Sequence, residues 1–234
     1  GHGGRGEAFA AWQQYLAQIA ARGVVLAVCS KNDERVAAAA LDHPCMELRR
    51  EEFAAFVCNW QDKASNLRSI AADLNLGLDA MVFVDDNPAE RSLVLQALPE
   101  VTVVDIGTDP AQFIHRFEAG HWFDQQFTTA EDRGRTNAYA ARKQARSAHA
   151  ATTDIASHLA NLEMRGIAGL ADFTDLPRLA QLELKTNQFN LTNRRYTQPQ
   201  LATTLQDPLC VVLTMRLSDR FVEHGLISSL IATV

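Results

Sequence analysis

The sequence lacks any apolar stretch approaching the ~20 residues that a bilayer-spanning helix needs. It has no Lys/Arg-rich run, and its formal net charge is −6; both argue against a nucleic-acid surface. No secretory leader pattern opens it. Its four cysteines, Cys29, Cys45, Cys58 and Cys210, form no C-x-x-C pair, and no Cys/His set has zinc spacing. Without a secretory context these cysteines read as reduced thiols, and the expected compartment is the cytoplasm. What remains is ordinary for a folded chain: 234 residues, 47% hydrophobic and 21% charged, suit one large domain or two modest ones with a sizeable core.

Residues 7–22 place Phe9, Trp12, Leu16 and Ile19 at helical spacing, and Gly23 stops the helix. Val24–Cys29 follows as a continuous apolar run, which suits a strand buried on both faces of a parallel sheet. The pattern predicts helices over 33–41 and 62–75, a strand over Ala80–Val84, and a helix from Asn87-Pro88 to about Leu98. A third strand, Val101–Ile106, precedes another helix started by Asp109-Pro110. This alternation predicts an α/β fold with a doubly wound parallel sheet. Ligands of such folds bind beyond the carboxyl ends of the strands. Here those ends carry Cys29-Ser30-Lys31-Asn32 and Asp85-Asp86-Asn87.

The composition then shifts. Residues 119–151 read as a connecting segment, with a polar helix from Thr129 to about Ala150 that carries Arg133, Arg135, Arg142, Lys143 and Arg146. These charges suit a solvated face or a docking site for a carrier protein. From 152 to 234 an α+β pattern is expected: helices over 153–162 and 175–186, a third opened by the Thr197–Gln200 capping box, and strands over 164–170, 209–217 and 226–234. A sheet of two or three strands is poorly closed, so the chain is expected to be cut inside a domain.

Four residues could carry chemistry at the strand ends. The Ser30 hydroxyl can donate to a phosphate oxygen or cap a turn. Lys63, behind Asp62 at a helix start, can hold a phosphate or a carboxylate by charge, or lie on the surface. Asp85 and Asp86 are hard oxygen donors suited to Mg²⁺, or a helix cap beside a solvated acid. His43, His121 and His224 have no partner at metal spacing and read as surface or packing residues, and Cys45, Cys58 and Cys210 as structural, with Cys45 and Cys58 in loops or helix edges.

In order and context Ser30, Lys63 and Asp85-Asp86 resemble the second, third and fourth motifs of the haloacid dehalogenase superfamily. The first motif of that superfamily, D-x-D-x-[TV], supplies its nucleophile and its general acid/base. The sequence contains no such motif, and the resemblance implies that it lies upstream of Gly1, so that this stretch alone is expected to be inactive. Val28-Cys29-Ser30-Lys31-Asn32, Asn59-Trp60-Gln61-Asp62-Lys63-Ala64, Val84-Asp85-Asp86-Asn87-Pro88, Lys185–Thr192, Arg194-Arg195-Tyr196-Thr197 and Leu217-Ser218-Asp219-Arg220-Phe221 together resemble FkbH-like proteins over nearly the whole chain.

The FkbH resemblance implies a haloacid-dehalogenase-like domain over 1–118 and an incomplete GNAT-like acyltransferase domain over 152–234. It implies removal of phosphate from 1,3-bisphosphoglycerate or a related acyl phosphate, and transfer of the three-carbon acyl group to the phosphopantetheine thiol of an acyl carrier protein, with Mg²⁺ as cofactor. Under it Asp86 is the Mg²⁺ ligand, and Asp85 a ligand through water or a partner for Lys63. Cys29, Ser30, Lys63 and Asp85 are the catalytic set, with Cys29 a candidate acyl carrier if Lys31 and a metal lower its pKa. Lys31 and Asn32 are substrate-binding candidates, and Asn187, Gln188, Asn190 and Arg194 are substrate- or pantetheine-binding candidates or hydrogen-bonding links between the two units. A plain Mg²⁺-dependent phosphatase and a catalytically silent carrier-docking domain are the alternatives.

Overall fold

The computed structural model describes residues 3–124, 128–135, 138–139, 141, 160–185 and 194–233. It divides into two compact units, Gly1–Gln126 and Phe127–Val234.

The first unit runs α1 (Gly4–Ala21), β1 (Leu26–Ser30), α2 (Glu34–Leu41), β2 (Phe53–Cys58), α3 (Lys63–Leu74), β3 (Val82–Val84), α4 (Pro88–Ala97), β4 (Thr102–Val104) and α5 (Phe113–Glu118). The elements begin where short polar side chains satisfy free helix amides. Asp33 accepts from Arg35 N and Val36 N, Asp62 from Ser65 N, and Asn87 from Ala89 N with Pro88 next in line. Arg22 caps the end of α1, and Gly23 follows with φ of +97°.

β2 is a strand that the sequence reading left out. Phe53-Ala54-Ala55-Phe56-Val57-Cys58 is a continuous apolar run, the same signal that marks β1. Cys58 is therefore a buried residue at a strand end, where a loop or helix edge was expected. β1 is also less enclosed than expected, since only Leu26 in it is buried.

β1 pairs in parallel with β2, and β3 in parallel with β4, with Cys29 opposite Val57 and Phe83 opposite Val103. One continuous sheet was expected; among the described residues no ladder joins the two pairs. Side chains and helices connect them instead. Ala64 and Leu67 of α3 pack with Phe83, Val94, Leu98 and Val101, and Cys29 lies against the same cluster. Burying a residue such as Leu98, 1% exposed, contributes about 1.5–3 kcal/mol, more than a two-stranded ladder supplies alone. A second cluster places Ile19 against Val104, Ile106, Phe113 and Phe117. Trp12 stands edge-on to Phe117 at 5.5 Å there, which fixes α1 over α5.

The second unit contains α6 (Ala130–Arg133), β5 (Arg165–Leu170), α7 (Leu176–Lys185), α8 (Gln198–Gln206), β6 (Cys210–Ser218) and β7 (Glu223–Thr233). β5, β6 and β7 form an antiparallel sheet in that order. Leu176, Leu179 and Ala180 of α7 and Leu201 of α8 pack against Val212 and Leu226 on one face. The β6–β7 turn is tighter than the sequence pattern suggests, with Ser218 opposite Glu223. Asp219 builds it by accepting from Phe221 N at 2.7 Å and Val222 N at 2.9 Å, while its other oxygen meets His224 Nε2 at 2.8 Å. Gly225, at φ +69°, lies so close to Glu131 that a Cβ would fall 2.6 Å from its carboxylate.

Asp132, 2% exposed, is the polar centre of this unit. It accepts from Thr129 N, Thr129 Oγ1 and Gln181 Nε2 and pairs with Arg135. Burial alone would raise its pKa; the bonds from Gln181 and Thr129 and the charge of Arg135 outweigh that and lower it. The rest of the predicted polar helix, including Arg142, Lys143 and Arg146, lies largely outside the described residues, as does most of the helix expected over 153–162. Among the described residues no helix is long and apolar enough to cross a membrane.

Candidate functional site at the strand ends

Ser30 is the last residue of β1, and its carbonyl accepts from Asn59 N at 3.1 Å, tying the end of β1 to the loop after β2. That loop is locked by a pair of amides. Asn59 Nδ2 donates to Asn66 Oδ1 at 3.1 Å, and Asn66 Nδ2 returns a bond to Asn59 Oδ1 at 2.8 Å. Asn66 is 2% exposed, so the lock is internal to the fold. It delivers Lys63 to the first turn of α3, beyond the Asp62 cap.

The Lys63 ammonium forms an ion pair with Asp85 Oδ2. It also lies 5.8 Å from the centre of the Phe83 ring. Asp85 Oδ1 accepts from Asn87 N at 2.9 Å, and its carbonyl accepts from Arg91 Nη1 at 2.8 Å. Both oxygens and the carbonyl of Asp85 are thus occupied. Asp86, next along, is exposed and makes no hydrogen bond or ion pair with the described residues. The two carboxylates are alike in sequence and opposite in use, one an internal strut and the other open to a ligand.

Lys31 pairs with Glu90 Oε1 at 2.7 Å. The other oxygen, Glu90 Oε2, is buried and has no partner. Asn32 Oδ1 is engaged by Asp33 N at 2.8 Å. Cys29 is half-buried, with its thiol donating to Lys63 O at 3.9 Å. Burial pushes that thiol up to about 11; nearby Lys63 lowers it, and Asp85, Cys58 and Glu90 raise it further. Lys31, whose ammonium is paired with Glu90, is not among the groups that lower it. At neutral pH Cys29 is a thiol in this environment.

Cys29, Ser30, Lys31, Lys63, Asp85 and Asp86 are therefore grouped at one end of the two parallel pairs. Arg194 lies in the second unit and is exposed. Asn187, Gln188 and Asn190 lie outside the described residues. Sequence reasoning missed Glu90, Arg91 and Asn66. The first two fall in the first turn of the helix that Asn87-Pro88 starts, where a charged residue faces back towards the strand ends. Asn66 had the weaker signal of a polar residue amid the buried positions of α3. Among the described residues no three His, Cys, Asp or Glu side chains converge as a metal-binding group.

No family model and no curated protein matches the chain. A similar solved structure is the N-terminal part of the protein BF1531 from Bacteroides fragilis, which contains a phosphatase domain and is complexed with Mg. It is 41% identical, with a TM-score of 0.52, over 53% of this chain and 34% of that one. The chain therefore spans about a third of the length of that relative. The likeness agrees with the mixed α/β architecture and its parallel strand pairs.

Proposed function

We propose that the first unit handles a phosphoryl group with Mg²⁺, as a phosphatase-type domain of the haloacid dehalogenase kind. The observation that carries this reading is the division of labour at Asp85-Asp86. Asp85 is consumed by Lys63, Asn87 and Arg91, which leaves Asp86 as the open carboxylate. The likeness to a phosphatase domain complexed with Mg supports it.

The donor chemistry fits the ion. Asp86 and the unpartnered Glu90 Oε2 are hard oxygen donors, and Mg²⁺ takes one or two carboxylates and completes its shell with water and phosphate oxygens. A bound Mg²⁺ would neutralise phosphate charge and orient it. Ser30 would donate its hydroxyl to a phosphoryl oxygen. Lys63 would keep positive charge at the strand ends while holding Asp85. On this reading a D-x-D-x-[TV] motif, which these 234 residues do not contain, would supply the nucleophilic aspartate.

The finer reading is loading of a carrier protein. The whole protein would take 1,3-bisphosphoglycerate or a related acyl phosphate. A thiol attacks the acyl carbon, a C–S bond forms, the C–O bond to phosphate breaks, and phosphate leaves with the electron pair while the thiol proton passes to a base; with 1,3-bisphosphoglycerate the phosphate ester that remains on the three-carbon unit would be hydrolysed by water at the phosphatase-type site. The final acceptor is the phosphopantetheine thiol of an acyl carrier protein, and the second unit, GNAT-like, would present it. Cys29 is the candidate for an intermediate thioester; with its pKa near 11, direct transfer to the carrier thiol is the competing route. The FkbH-type motifs running through both units support this reading over a plain phosphatase.

The test uses the whole protein as its gene encodes it, with Mg²⁺, 1,3-bisphosphoglycerate generated in place and a carrier protein bearing phosphopantetheine. Intact-mass measurement is expected to find the acyl group on the carrier together with Mg²⁺-dependent phosphate release. Phosphate release with an unmodified carrier would reduce the function to a phosphatase. No Mg²⁺-dependent phosphate release would remove the proposal altogether. An acyl adduct still formed by Cys29→Ala would exclude Cys29 as carrier.

A further inference from the structure

Arg91 stands one residue beyond Glu90 in the first turn of α4, with its side chain 13% exposed. One guanidinium nitrogen donates to the Asp85 carbonyl at 2.8 Å, and the other pairs with Asp105 Oδ1 at 2.7 Å. Asp105 follows β4, so Arg91 braces the turn after β3 against the neighbouring strand. The Asp105 carboxylate is 65% exposed, and such a surface pair by itself stabilises by only about 0–1 kcal/mol. The inward bond to the Asp85 carbonyl is the contact with structural consequence. That carbonyl belongs to the peptide that links Asp85 to Asp86. Lys63 and Asn87 N already hold the Asp85 carboxylate. With the carbonyl also held, the peptide that leads into Asp86 is restrained by groups on both of its neighbouring elements.

We propose that Arg91 is the positioning residue for Asp86: it fixes the Asp85-Asp86 peptide so that the open carboxylate is presented in one geometry to Mg²⁺. This rests on the Mg²⁺ reading above and adds the residue that tunes it. Guanidinium geometry is required, because its fork reaches a carbonyl and a carboxylate at once while an ammonium is a single point charge. Groups that orient metal-binding carboxylates change metal affinity about 10–100-fold when removed.

The test is carried out on the whole protein without substrate. Mg²⁺ affinity is measured by titration calorimetry, and amide exchange at Asp86 and Asn87 by mass spectrometry. Arg91→Ala is expected to weaken Mg²⁺ by at least about tenfold and to speed exchange at those two amides while the strands stay protected. Arg91→Lys is expected to fall between it and the wild type. Should Arg91→Ala fail to fold, Asp105→Asn releases the outer half of the brace, and Mg²⁺ affinity is expected to fall in the same direction. Wild-type Mg²⁺ affinity in Arg91→Ala, or in Asp105→Asn where the alanine variant does not fold, would overturn the role of Arg91 alone. Absence of Mg²⁺ binding by the wild type would overturn the metal reading and this role with it.

Discussion

Lys63 and Asp85 form a nearly buried ion pair, with side chains 12% and 8% exposed, that joins the helix after one parallel strand pair to the end of the other. Removing either partner strands a desolvated charge. Lys63→Ala and Asp85→Ala are each expected to destabilise the first unit by about 3–5 kcal/mol. The double variant should cost clearly less than the sum, since the stranded charge is then gone. All three tryptophans, Trp12, Trp60 and Trp122, lie in this unit, so urea unfolding followed by fluorescence reads it directly. Additive losses would mean that the two charges do not sense each other.

Cys29 should be the slow thiol. With its pKa pushed up to about 11, little thiolate exists near neutrality, whereas Cys45 is exposed. Iodoacetamide at pH 7.5 is expected to label Cys45 well before Cys29, as read by peptide mass mapping. The folded-state pKa lies above the ordinary value of 9.0, so the native state keeps its proton where the unfolded state has lost it. Stability of the first unit should therefore fall as pH rises through 9 towards 11. Cys29→Ala should flatten that fall. Labelling of Cys29 as fast as Cys45 would show that the thiol is not held by burial.

The site was legible where one local rule decided it. Asn87-Pro88 had to start a helix, so Asp85-Asp86 had to end a strand. Asp62 had to cap, so Lys63 had to enter the first turn of α3. β2 was missed although its apolar run matches that of β1, because Phe53 and Phe56 also stand at helical spacing and a short apolar run does not by itself tell a strand from a buried helix segment. The sheet was over-read for a different reason. Apolar runs specify that strands are buried, whereas which strands pair depends on partners distant in sequence, and β1 and β3 do not meet in a ladder. Lys63 was foreseen as a partner of Asp85, whereas Glu90, 59 residues from Lys31 along the chain, and Arg91, whose bond goes to the Asp85 backbone carbonyl and not to its carboxylate, had no signal in the local pattern.

Acid should weaken the second unit through Asp132. Burial opposes its charge, but hydrogen bonds from Gln181 and Thr129 and the charge of Arg135 bring its pKa below the ordinary carboxylate value. A lowered folded-state pKa means stability that is present above the unfolded value of 3.8 and is lost as pH falls through the folded one. Asp132→Asn, which keeps the shape but misplaces a donor among donors, is expected to cost about 1–3 kcal/mol near neutrality. It should also blunt the acid dependence of unfolding, followed by circular dichroism. An unchanged acid midpoint in Asp132→Asn would assign that dependence elsewhere, with Asp219, also lowered, the next carboxylate to test.

Asp86 and Ser30 should separate by what they respond to. Asp86 is exposed and unpartnered among the described residues, so Asp86→Asn removes no internal support and should leave the unfolding midpoint near that of the wild type. Its effect should appear as a higher Mg²⁺ concentration for half-maximal phosphate release, by about tenfold or more. Ser30→Ala deletes one donor to a charged phosphoryl oxygen, a loss of about 1.5–3 kcal/mol, which corresponds to roughly 10–100-fold in rate. Its Mg²⁺ requirement should stay where it was. The opposite pattern, with Ser30→Ala shifting the Mg²⁺ requirement and Asp86→Asn lowering only the rate, would exchange the two roles. Equal and small effects from both would mean that the phosphoryl group is not handled at this end of the strands at all.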